Sequence, residues 1–252
     1  MRIHSFVKPE SRHEEVVTLS PAESHHLARV LRVEAGQEMT LFDGQGTLAE
    51  GIVETVTKNE VTVRITERET VAKPAVEITL IQAVCKPDRF EMILQKATEL
   101  GVQIIQPVIT HNASLPAAKI TKMIARGEAI IRNAAQQCGT AWLPQFLPLK
   151  PLSDILFESS VTLVGSLHPN AKPFKDALRQ LHETGWKPAI RTAGVQPALR
   201  VALLIGPEGD FTEEEVNAAV EAGAIPVTFG KQILRTETAA IFGLSVLAYE
   251  LF

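Results

Sequence analysis

The chain contains no Gly-x-Gly-x-x-Gly and no Gly-Lys-Ser/Thr. A dinucleotide fingerprint and a P-loop are therefore both absent. It has two cysteines, Cys85 and Cys138, at a spacing that suits no metal site. They are expected to be buried thiols of a cytoplasmic protein, with no bound metal. There is no basic excess either, because the net charge is −4. Residues 1–72 hold 8 Lys+Arg against 12 Asp+Glu, and residues 73–252 hold 17 of each. Any nucleic-acid binding must then rest on local clusters of cations. Thr238–Tyr249 is free of charge but too short to span a bilayer. The start, Met1-Arg2-Ile3-His4-Ser5, lacks a signal-peptide pattern. With 252 residues, 45% apolar and 21% charged, the chain reads as soluble and globular, in one large domain or two smaller ones.

Periodicity favours two. Residues 1 to about 72 alternate as strands do, in Val61-Thr62-Val63-Arg64-Ile65-Thr66 and in Met39-Thr40-Leu41-Phe42. Asp43-Gly44 and Gly46 mark a hairpin turn. A short helix over Ala22–Leu31, capped by Ser20 with Pro21 at its first position, completes a small β-barrel. Ala72-Lys73-Pro74 is the expected boundary. From Val76 the pattern alternates strand and helix, as in a parallel α/β domain. Strands are expected over Val76–Val84, Ile104–Ile109, Val161–Gly165, Val201–Ile205 and Ile225–Phe229. A helix with a capping box of Asp88 and Glu91 should bury Phe90, Ile93, Leu94, Ala97 and Leu100 and end at Gly101. Gly185–Leu199 reads as an extended surface loop.

Two motifs follow the last two strands. The first is Ile205-Gly206-Pro207-Glu208-Gly209-Asp210-Phe211, and the second is Phe229-Gly230-Lys231-Gln232-Ile233-Leu234-Arg235-Thr236-Glu237-Thr238-Ala239. Loops at the carboxyl ends of neighbouring strands form the crevice where open α/β sheets bind ligands. The first loop carries Glu208 and Asp210 and precedes a helix with Thr212 as N-cap and Glu213, Glu214 and Glu215 in its first turn. So many acids would repel a phosphate. A neutral or partly cationic ligand fits better. A tight turn of Gly206, Pro207 and Gly209 is the simpler alternative for the first loop. In the second, Arg235 and Glu237 stand beside an apolar helix capped by Thr236, and they require a partner, either each other or a substrate.

These residues identify a resemblance. I-G-P-E-G-x-F-T-x-E-E followed by G-x-x-I-L-R-T-E-T-A resembles the SPOUT-class methyltransferases, in particular the ribosomal RNA small-subunit methyltransferase E family. The likeness extends to Asp88-Arg89-Phe90-Glu91, to Gln95–Val102, to His25-His26-Leu27 with Val30-Leu31-Arg32, and to Gly36 and Phe42-Asp43-Gly44. The resemblance implies a PUA-like RNA-binding domain over 1–72 and a SPOUT domain with a trefoil knot over 73–252. It implies methylation of N3 of a uridine in 16S rRNA with S-adenosylmethionine (SAM), a phosphate-free sulfonium cation. The chain departs from the family's pattern at Asp210, where a second glycine is usual, and at Gln136-Gln137-Cys138-Gly139-Thr140, which lacks the family's Glu and Arg. An RNA-binding protein that has lost catalysis, or one that methylates another site, is the alternative, and an α/β enzyme using a nucleotide cofactor is a third.

The resemblance assigns the cofactor to Gly165, Leu167, Ile205, Gly206, Pro207, Glu208, Gly209, Phe229, Gly230, Ile233, Leu234, Arg235, Thr238 and Ala239. Gly206 and Gly230 are expected to let backbone approach the ligand closely. Arg235 and Glu237 are expected to be catalytic, the first stabilising a base anion and the second orienting Arg235 or holding the pocket's shape. RNA contacts fall on Arg2, His25, Arg29, Arg32, Lys86, Arg89 and Lys96, with Arg29 and Arg32 sharing a helix face and Arg89 and Lys96 sharing another. A solvated helix face is the plainer reading of each set. Adjacent His25 and His26 point apart on a helix and suit no metal. The final helix is apolar on more than one side, and the family dimerises, so a homodimer is expected. The RNA partner would be small-subunit rRNA or the assembling subunit, with no membrane involved.

Overall fold

The computed structural model describes residues 3–57, 59–155, 157, 159–183 and 199–252. Arg2 and nearly all of the Gly185–Leu199 stretch lie outside the described residues. Two compact units form, one from Met1–Lys73 with Arg132–Leu143, the other from Pro74–Ile131 with Pro144–Phe252.

The first unit is a five-stranded sheet of β1 (Ile3–Phe6), β2 (Val16–Thr18), β3 (Glu38–Phe42), β4 (Thr47–Val56) and β5 (Val61–Thr70). Its order is β1-β3-β4-β5-β2, with β1 parallel to β3 and the other pairs antiparallel. Alternation puts Met39, Leu41, Val53, Val61 and Val63 in one core with Val17, Leu19 and Leu27. Irregular register at Glu50/Gly51 and Val53/Thr55 bends the long β4–β5 pair.

The expected Ala22–Leu31 helix is two elements. Pro21–His25 (α1) is α-helical, and Ser20 Oγ accepts from Glu23 N at 3.3 Å as its cap. His26–Leu31 is then a π-helical turn. Arg32 lies beyond it at φ 53. The shared-face argument for Arg29 and Arg32 therefore fails, because it presumes a 3.6-residue helix through both.

Residues 132–143 cluster with this unit although they follow the expected boundary. Trp142 Nε1 donates to Val71 O at 3.1 Å, and Lys73 Nζ lies 4.9 Å from the indole centroid. Gln136 Nε2 donates to Glu23 Oε2 at 2.6 Å, and Ser5 Oγ donates to the same oxygen at 2.7 Å. Gln136, a neutral donor, thus serves Glu23 from the segment where the resemblance would place an acid and a base.

The second unit is built on β6 (Val76–Ala83), β7 (Ile104–Ile109), β8 (Gln145–Phe146), β9 (Lys150–Pro151), β10 (Val161–Gly165), β11 (Lys172–Pro173), β12 (Leu199–Ile205) and β13 (Ile225–Thr228). Its order is β11-β13-β10-β12-β6-β7-β8, with β9 also on β7, and every pair is parallel. The near-continuous apolar runs of β6 and β12 suit strands buried on both faces. The helices are α2 (Pro87–Glu99), α3 (Ala117–Ala125), α4 (Gly127–Cys138), α5 (Phe174–Glu183), α6 (Glu213–Glu221) and α7 (Thr236–Leu251). α2 buries Phe90, Ile93, Leu94 and Ala97, as its spacing requires. It starts at Pro87 with Lys86 as N-cap and no side-chain cap, so the expected Asp88/Glu91 box does not form. Proline's fixed φ favours that earlier start. The two-residue strands β8, β9 and β11 carry too short a pattern for periodicity to reveal.

The chain order makes the site. β12 lies on one side of β10 and β13 on the other. After β13 the chain returns to pack α7 on α2, β12 and β6.

Candidate functional site

Three loops leave the carboxyl ends of the adjacent strands β13, β10 and β12 and enclose a cavity of about 430 Å³. Of the expected cofactor residues, Gly165, Leu167, Ile205, Gly206, Pro207, Glu208, Gly209, Phe229, Ile233, Leu234, Arg235 and Ala239 line it. Gly230 and Thr238 do not, and neither does Glu237. Sequence reasoning missed Asp210, Val227, Thr228 and Thr236, and it placed Arg89 on RNA rather than on this wall. Thr236 could have been found, since it stands between two named residues.

The loop after β12 is held from several sides. Thr236 Oγ1 donates to Gly206 O at 2.6 Å and accepts from Gln82 Nε2 at 3.2 Å, all buried. Asn112 Nδ2 donates to Gly209 O and Asp210 O, both at 3.0 Å. Asp210 N donates to Pro207 O at 3.1 Å, which closes the turn. The residue with positive φ in that turn is Asp210, at 59°, rather than either glycine. Aspartate tolerates this region, which explains how it stands where the family uses glycine. Thr212 and Glu215 form the expected capping box at 3.2 and 2.9 Å.

Two expectations about the second loop change. Arg235, not Thr236, is the N-cap of α7, and Thr236 is its first residue, with the hydroxyl turned to Gly206. Gly230 does not line the cavity, and no protein atom lies within 4 Å of where a Cβ would stand. Its φ of 139° is what requires glycine. At Gly206 a Cβ would lie 3.1 Å from the Phe211 ring, so close packing does hold there.

The charges pair differently from expectation. Glu237 does not pair with Arg235. Arg89 Nη1 lies 3.7 Å from Glu237 Oε2 and 3.5 Å from Glu208 Oε1. Glu208 Oε1 also accepts from Lys86 N at 3.1 Å. Arg235 is exposed, and its guanidinium has no hydrogen bond or ion pair among the described residues. Burial pushes the Cys85 thiol well above its usual range, and the nearby Glu208 and Glu237 carboxylates add to the shift. The thiol stays protonated and unreactive.

The other expected RNA residues divide. His25, Arg29 and Arg32 are exposed in the first unit, beside Val30 and Leu31, which are 63% and 45% exposed. Lys86 is exposed at the N-cap of α2. Lys96 is paired with Glu99 at 2.8 Å, so α2 does not present Arg89 and Lys96 as a pair of unneutralised cations. Cys138 is exposed, against expectation, and Cys85 is buried. Among the described residues no group of His, Cys, Asp and Glu could hold a metal, and no helix is long and apolar enough to cross a membrane.

The lining fits a cationic, phosphate-free ligand. Much of its wall is apolar or backbone, and Glu208 and Asp210 stand where a phosphate cradle would need cations. Arg89 is neutralised by Glu208 and Glu237, which leaves Arg235 as the lining cation without an ion pair among the described residues. Comparison with known proteins agrees with this chemistry. Residues 72–248 match the RNA methyltransferase domain family, and residues 19–66 match the RNA methyltransferase PUA domain. A protein of Mycobacterium bovis named ribosomal RNA small subunit methyltransferase E is 30% identical over 231 residues, 91% of this chain and 84% of that one. The chain belongs to the ribosomal RNA small subunit methyltransferase E family. A solved member from Neisseria gonorrhoeae, bound to S-adenosyl methionine, is 30% identical, covers 98% of this chain and 97% of its own, and has a TM-score of 0.82. A Legionella pneumophila chain in complex with the bound cofactor SAM is 33% identical, with 99% and 98% covered and a TM-score of 0.81. Family membership fixes the architecture as a PUA-like unit and a parallel α/β methyltransferase unit. None of the residues of Gln136–Thr140 lines the cavity.

Proposed function

We propose that the protein methylates N3 of a uridine in small-subunit (16S) rRNA, with SAM held in the cavity between the β10, β12 and β13 loops. The carrying observation is an acid-edged cavity, walled largely by apolar residues and backbone, at the strand ends of a chain belonging to this family. When bound, SAM supplies a methyl group to a nucleophilic ring nitrogen. The backbone and apolar wall of Gly165, Leu167, Ile205–Gly209, Leu234 and Ala239 holds and orients it, and positioning of this kind lowers the barrier. Arg235 stabilises the anion that forms when the imide proton leaves. It is permanently charged, unpaired and on the cavity wall, and a cation there favours the deprotonated base. Water or Glu208 takes the proton. The loss of an Arg235–Glu237 pair removes the competing structural role for Arg235.

The reading extends to the partners. The exposed His25, Arg29 and Arg32 of the PUA-like unit engage rRNA or an assembling subunit in the cytoplasm. The protein acts as a homodimer, for which the exposed Phe242 and Tyr249 on an otherwise apolar α7 are the support. The trefoil knot remains what the resemblance implies. Retained catalysis is favoured over a catalytically lost binder, because Arg235 is unpaired and the altered segment lies off the cavity. Calorimetry tests the cavity. SAM should bind one site per chain and ATP should not compete, whereas competition by ATP would contradict the assignment.

A further inference from the structure

The Arg89 cluster is the most highly charged feature of the cavity, and the function proposed so far gives Arg89 and Glu237 no part. Its geometry is specific. Arg89 stands between two carboxylates, with Nη1 3.5 Å from Glu208 Oε1 and 3.7 Å from Glu237 Oε2. Glu208 receives Arg89 and the Lys86 amide on one oxygen, Oε1. No hydrogen bond engages Nε or Nη2 of Arg89, or Oε2 of Glu208, among the described residues. Arg89 and Glu208 both line the cavity, with side chains 22% and 26% exposed. Glu237 stands behind them at 14% exposure and does not line it. Its Oε2 is buried without a hydrogen bond.

A planar donor beside a carboxylate acceptor matches one face of a nucleobase. The imide edge of uracil offers a carbonyl acceptor next to an N–H donor. Cytosine offers an amino donor next to an unprotonated nitrogen, so both contacts would be reversed. A site built to hydrogen-bond one edge rejects its mismatch strongly, because buried polar groups are then left unpaired.

We propose that Arg89 and Glu208 read the imide edge of the target base, and that Glu237 is the positioning residue that fixes Arg89. Arg89 donates to the carbonyl beside N3, and Glu208 Oε2 accepts the N3–H. In the reaction the N–H bond breaks, its electron pair stays on N3, and the proton passes to Glu208 Oε2. Arg235 is then available to the carbonyl on the other side of N3. This rests on the SAM-dependent uridine reading and assigns its base specificity.

The test uses the full chain with small subunits that lack the modification, carrying uridine or, by an altered rRNA gene, cytidine at the target. Wild type methylates the uridine subunits and not the cytidine ones. Failure with both would overturn the proposed function itself, whereas methylation of both at similar rates would overturn only the base-reading role. Arg89→Ala and Glu208→Gln should each lower the single-turnover rate at saturating subunits by about 100-fold or more. SAM affinity and KM for subunits should stay near wild type. A clear loss of SAM affinity would place the cluster on the cofactor's amino-acid end and contradict the proposal. A raised KM with a normal single-turnover rate would make Arg89 a phosphate contact and also contradict it. If Arg89→Ala fails to fold, Arg89→Lys decides. It keeps a cation between the acids but loses the flat fork, so it should fold and still turn over slowly, and normal turnover would overturn the idea. Glu237→Gln should lower the single-turnover rate while KM and melting temperature hold.

Discussion

The two loops that follow β12 and β13 share a cavity but are built in opposite ways. The first is tied down at almost every residue. Gly206, Glu208, Gly209 and Asp210 are each bonded to a distant part of the unit, through Thr236, Lys86 and Asn112. In the second, Thr228 Oγ1 reaches Gly230 O, while Lys231, Gln232, Ile233 and Arg235 are exposed. Ile233 is 77% exposed, unusual for so apolar a side chain. A pinned loop suits a preformed cofactor wall. An open one carries groups whose partners arrive with the substrate. The same division separates the arginines, since Arg89 is held by two acids and Arg235 by none.

The comparison predicts that the unpaired arginine of the open loop acts on chemistry, whereas the ties that pin the first loop act on stability. The largest effect should come from Arg235→Ala, with single-turnover methylation falling about 100- to 1000-fold. Its melting temperature and SAM affinity should stay unchanged. Near-normal turnover would remove Arg235 from the mechanism. Next is Thr236→Val, which takes from the buried Gly206 O its hydroxyl donor and leaves Gln82 Nε2 with Ala83 O alone. It should cost about 1–3 kcal/mol in denaturant unfolding and weaken SAM binding as the β12 loop shifts. A neutral result would mean that the loop is not pinned there.

Smaller again is Gly230→Ala. The added methyl has room, so only the backbone at φ 139° resists it. That strain should cost on the order of 1 kcal/mol of stability, with SAM binding retained because Gly230 lies off the cavity wall. Loss of SAM binding with full stability would restore the close approach expected from the sequence. The smallest effect belongs to Ile233→Ser, within about 0.5 kcal/mol of wild-type stability as for other exposed sites. A larger destabilisation would show that the open loop is packed after all.

Much of the site was legible because short-range signals carry it. The Thr212–Glu215 box, the apolar strands and the glycine-bearing loops all depend on neighbours within a few residues. What stayed hidden was pairing across the sheet. Arg89 and Glu237 are 148 positions apart in sequence and meet only because α7 returns to α2. Adjacent spelling suggested an Arg235–Glu237 pair that folding replaces with a long-range one. The assignment of 132–143 to the first unit was hidden for the same reason. Its ties, from Trp142 to Val71 and from Gln136 to Glu23, have no local signature. At His26–Leu31 helical spacing was visible but the π turn was not, since apolar periodicity is too coarse to separate the two windings.

The most direct test of the account is nucleoside mass spectrometry of small-subunit rRNA after reaction with SAM and the purified protein, using subunits from cells without the gene. The account predicts one new 3-methyluridine per subunit, absent without SAM and nearly absent with Arg235→Ala. No methyl transfer, or a methyl group on any other atom or base, would contradict it.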